Sequence, residues 1–81
     1  MSTILIVDDD PHLRELARVF LQHEGFDLAE AADGVEALSV LERHKVKLVI
    51  LDIMMPKMDG WELCRQLRRY YDVPVLMLTA R

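Results

Sequence analysis

Apolar residues change spacing several times along this chain, and each change marks an element. Ile4-Leu5-Ile6-Val7 is an unbroken aliphatic run, too short for a helix and halted by Asp8-Asp9-Asp10, which is the pattern of a strand buried on both faces. Asp10-Pro11 then sets a capping residue ahead of a proline at the first helical position. Leu13, Leu16, Ala17, Phe20 and Leu21 follow at helical spacing until Gly25, so an amphipathic helix with a defined start and stop is expected. Asp27–Ala31 reads as a weaker, partly polar strand suited to a sheet edge. Asp33-Gly34-Val35-Glu36 has the pattern of a capping box and opens a second helix through Leu38 and Leu41. Residues 47–51 form the third strand. Asp59-Gly60-Trp61-Glu62 repeats the capping chemistry and opens a third helix, with Trp61, Cys64 and Leu67 or Leu63 inward, and Asp72-Val73-Pro74 turns the chain into a last run, Val75-Leu76-Met77-Leu78.

The order β-α-β-α-β-α-β implies an α/β fold with a parallel sheet covered on both faces. Right-handed crossovers restrict the topology further. If the first connection moves outward and the second returns past the first strand, the strand order becomes 2-1-3-4, the start of a doubly wound, flavodoxin-like arrangement. The ligand crevice of such a sheet lies beyond the carboxyl ends of the strands at the switch point, here between strands one and three. Asp8 and Asp9 follow strand one and Asp52 ends strand three, so three acids are expected at one crevice, with the Thr79 hydroxyl at the same end of the last strand. Like charges brought this close repel, and such a cluster usually holds a cation. Carboxylates without cysteine or well-placed histidine suit Mg²⁺, which keeps several waters and completes its octahedron with a substrate phosphate.

Composition narrows the class. The chain has 81 residues, 52% hydrophobic and 30% charged, which fits one small globular domain or a piece of one. A net charge of -4 with dispersed basic residues argues against nonspecific binding of nucleic acid or an anionic membrane by these residues. The single Cys64 excludes an internal disulfide and fits a cytoplasmic setting, and the start of the chain carries neither an export leader nor a membrane-spanning run. Plainer readings exist for each residue taken alone. A triple aspartate can be a helix-capping cluster, and Asp10 is expected to be the cap; Thr79 alone is an ordinary strand residue. His12, His23 and His44 are too scattered for a metal motif, Met54, Met55 and Met58 suit gap-filling, and Arg65, Arg68 and Arg69 suit a solvated helix face. It is the pairing of the Asp cluster with Asp52 and the turn behind it that favours a built site.

The stretches ILIVDDDP, LVILDIMMPKMDGWELC and PVLMLTA resemble the receiver domain of bacterial two-component response regulators, and the similarity runs from Ile4 to Arg81. The resemblance implies that Asp52 accepts a phosphoryl group from a sensor histidine kinase, that Asp9 and Asp52 bind Mg²⁺ with the backbone carbonyl of Met54 while Asp8 acts mainly through water, and that Thr79 is the switch hydroxyl. It implies a phospho-acceptor switch that assists its own phosphorylation, with the kinase as the principal enzyme. Met54 and Arg81 stand where the family modulates phosphoryl loss, and neither positions a water, so slow intrinsic dephosphorylation is expected. Against the family pattern, residues 1–81 correspond to the N-terminal part of the domain, lacking the fifth strand and last two helices. The fourth strand is then an exposed apolar edge, and self-association through it or through exchanged elements is expected. The turn and the MLTA ending are similar to regulators with a winged-helix DNA-binding output. Two alternatives were set beside this reading: an inactive receiver-like interaction module, which would typically have lost one of the acids, and an aspartyl-phosphate phosphohydrolase of the haloacid dehalogenase type, whose nucleophile follows its first strand and whose long insert is absent here.

Overall fold

The computed structural model describes residues 3–52 and 60–78. Its elements are β1 (Thr3–Val7), α1 (Pro11–His23), β2 (Asp27–Ala31), α2 (Gly34–Arg43), β3 (Leu48–Asp52), α3 (Gly60–Tyr70) and β4 (Val75–Leu78). All strand pairings are parallel and the sheet order is β2-β1-β3-β4, so the doubly wound topology expected from the pattern holds. Val7 pairs with Ala31 on one side and Leu51 on the other, which brings the ends of β1, β2 and β3 to one level.

Strand alternation sorts the core. Leu5 and Val7 of β1 and Val49 and Leu51 of β3 point to the face covered by α2 and α3, where they pack with Ala37, Val40, Leu41, Leu63, Cys64 and Leu67. Both leucines considered for the inner face of α3 are buried, and Cys64 is a packing residue beside them. The opposite face carries Ile6 and Ile50 and is met by α1 alone, leaving a groove lined by these residues with Leu13, Leu16, Ala17 and Phe20. No residue of α1 is buried.

Local chemistry sets the element ends. The Asp10 carboxylate accepts from the His12 amide at 2.9 Å, as expected of a cap ahead of Pro11. At the other end Gly25 takes φ +94°, its amide donates to the Gln22 carbonyl, and the Phe26 amide donates to Leu21; these two bonds close the helix in a Schellman motif. Asp33 caps α2 through the Glu36 amide at 2.9 Å. The returning Glu36 carboxylate meets the amide of Ala32 at 2.6 Å, one residue before the cap, so the box is wider by one residue than the pattern suggested. The third strand is also displaced by one residue from the expected 47–51: β3 includes Asp52, whose backbone pairs with Leu78 of β4.

Candidate metal and phosphoryl site

Parallel pairing determines where the acids go. β1 and β3 are adjacent and in register, so the residue after β1 and the last residue of β3 emerge side by side at the switch point. Asp8, Asp9 and Asp52 each offer a carboxylate oxygen, and these oxygens lie within 4.8 Å of one another. Asp8 and Asp52 are 6% and 3% exposed, far below what a solvated capping cluster would show. The expected convergence of the three acids is therefore present. Thr79 and Met54 lie outside the described residues, as do Met55, Met58, Asp59 and Arg81.

Several bonds shape the loop between β1 and α1. The Asp8 amide donates to the Ala31 carbonyl at 3.0 Å, and the Asp8 carboxylate accepts from the Asp10 amide at 2.9 Å. Burial raises the Asp8 pKa above its ordinary value; the Asp10 amide bond opposes this, while the nearby charges of Asp52 and Asp9 add to the rise. A carboxyl held in this way resists ionising unless a positive charge joins it. The donor set consists of hard carboxylate oxygens, which fits a divalent cation of the Mg²⁺ type rather than a thiophilic metal.

Sequence reading did not single out two further residues at the site. The Arg14 guanidinium donates through Nη1 to the Asp8 carbonyl at 2.6 Å and through Nε to Glu30 Oε1 at 3.1 Å. Arg18 Nε stands 3.2 Å from the other Glu30 oxygen and pairs also with Glu15. The available signal was an acid at a half-buried position of β2 together with two arginines one helical turn apart on α1. His12, His23 and His44 are exposed, as are Arg65, Arg68 and Arg69 on α3, in keeping with their reading as surface groups.

Comparison with known proteins agrees with this geometry. The family model described as "Response regulator receiver domain" matches residues 4–81. The CpxR-homologous transcriptional regulatory protein of Haemophilus influenzae is 51% identical over 81 residues, covering 100% of this chain and 35% of that protein. The structure of the Thermotoga maritima response regulator TrrA in complex with Mg²⁺-BeF superposes with a TM-score of 0.90 at 41% identity, covering 100% of this chain and 71% of that one. TrrA in complex with the histidine kinase ThkA gives a TM-score of 0.91 at 42% identity, covering 99% and 70%. The chain spans about a third of the length of the curated relatives it matches. Among the described residues no helix is long and apolar enough to cross a membrane.

Proposed function

The chain belongs to the response regulator receiver domain family, a family of signalling switches, and from that premise we propose that Asp52 accepts a phosphoryl group from a partner histidine kinase in a Mg²⁺-dependent transfer. The observation that carries the reading is the meeting of three carboxylates, two of them almost wholly buried, at the switch point of the parallel sheet. Asp8, Asp9 and Asp52 would hold the cation, joined by the Met54 carbonyl. A bound Mg²⁺ supplies charge neutralisation for the phosphoryl oxygens during transfer.

The chain's own part is nucleophilic and positional. An Asp52 oxygen attacks phosphorus, the P–N bond of the phosphohistidine breaks, and its electron pair stays on the departing imidazole, which takes up a proton. The product is an acyl phosphate on Asp52. Its added charge attracts the Thr79 hydroxyl, and that movement biases the surface offered to partners. In the whole protein this switch would control a DNA-binding output domain, an inference supported by the curated relatives named as transcriptional regulators. Kinase engagement is supported by the ThkA–TrrA complex, and Mg²⁺ by TrrA with Mg²⁺-BeF.

Phosphoramidate, a small donor with the P–N bond of phosphohistidine, provides the test. Intact-mass spectrometry is expected to show a single hydroxylamine-labile adduct that requires Mg²⁺ and is lost in Asp52→Asn. An adduct that forms equally well with EDTA present would sink the reading.

A further inference from the structure

We infer that Arg14 is a positioning residue that holds the Asp8 backbone where the three carboxylates can share one cation; the inference rests on the reading above in taking that cation to be Mg²⁺. Asp8 is pinned from two sides. Its amide donates to the Ala31 carbonyl of β2 at 3.0 Å, and its carbonyl accepts from Arg14 of α1 at 2.6 Å. The carbonyl belongs to the peptide that leads into Asp9, so the Arg14 bond sets the orientation from which the Asp9 side chain departs. Glu30, next to Ala31 in β2, fixes the guanidinium in turn by accepting from Nε at 3.1 Å. The Arg14 side chain is only 17% exposed, and it spans two acceptors with donors whose spacing is set by a rigid planar fork. Helix α1, β2 and the acid loop are thereby tied together through one side chain.

The sign of the effect separates positioning from simple charge. A positive charge beside a cation site disfavours a second cation, so if Arg14 acted through its charge alone, removing it would tighten Mg²⁺ binding. Positioning requires the reverse. Lysine refines the test because it keeps the charge and the aliphatic stem but replaces two spaced donors with one nitrogen.

The experiment is calorimetric titration of Mg²⁺ into the full chain and into Arg14→Gln, Arg14→Lys and Arg18→Gln, at a temperature where circular dichroism shows each folded. Binding about tenfold weaker in Arg14→Lys, and in Arg14→Gln where it folds, is expected, as for other groups that orient metal ligands. Arg18→Gln, which leaves the Asp8 carbonyl bond intact, is expected to bind like the unaltered chain. Unchanged affinity in Arg14→Lys, or tighter binding in Arg14→Gln, would overturn the inference about Arg14 alone. An unaltered chain that takes up no Mg²⁺ would instead overturn the cation reading and this inference with it.

Discussion

Asp8 shows how a residue suited to binding costs the fold stability. Its pKa is raised, chiefly by burial, so the metal-free folded chain binds this proton more tightly than the unfolded chain does. The associated stability is fully present below the unfolded pKa and is lost as pH rises through the higher folded pKa. Asp8→Asn keeps an acceptor for the Asp10 amide and removes the charge. We expect it to stabilise the metal-free chain by about 1 kcal/mol, roughly 4–8 °C in the thermal midpoint of a domain this size, and to abolish most of the stabilisation by Mg²⁺. Thermal melts at neutral pH, with and without Mg²⁺, check both halves. At this scale the sequence revealed the acids because all three stand at strand ends, where the switch-point rule places them. Arg14 and Glu30 stayed hidden because their meeting depends on how α1 lies across β2, a packing angle that no local pattern encodes.

Elements were legible wherever an end is chemically marked. Asp10, Asp33 and Gly25 each stop or start a helix through bonds that their residue types make favourable, and the structure has those bonds. Boundaries without such a mark were less legible: β3 takes in Asp52 because β4 lies alongside and supplies a partner for it, which the aliphatic run alone does not show. Periodicity likewise identified the apolar stripe of α1 but not how much of it is covered; Leu16 and Phe20 remain 66% exposed. Gly25 is a direct test of the α1 stop. A Cβ there would meet nothing within 4 Å, so Gly25→Ala acts through the positive φ alone. A loss of about 1 kcal/mol is expected, read as a lower urea midpoint with an unchanged slope.

For the molecule as a whole, the two faces of the sheet are unequal. Helices α2 and α3 enclose the main core on one side, whereas on the other the groove between α1 and the sheet is lined almost wholly by apolar side chains. Among the described residues β4 pairs with β3 alone, and Leu76 is 51% exposed. Apolar surface of this kind, next to a strand edge, favours association. Sedimentation velocity is expected to show self-association that grows with concentration and is reduced by Leu16→Glu with Phe20→Glu; a monodisperse monomer at every concentration would contradict this. The sheet order was legible from the alternation of elements and the handedness of crossovers, and it is this order that turns three separated aspartates into one pocket. The claim that this pocket makes Asp52 a phospho-acceptor is tested most directly by borohydride trapping after incubation with phosphoramidate and Mg²⁺, followed by peptide mapping. An acyl phosphate on Asp52 is reduced to homoserine, so the account predicts conversion at residue 52 and none without donor or Mg²⁺. Conversion at another aspartate, with Asp52 unchanged, would contradict it.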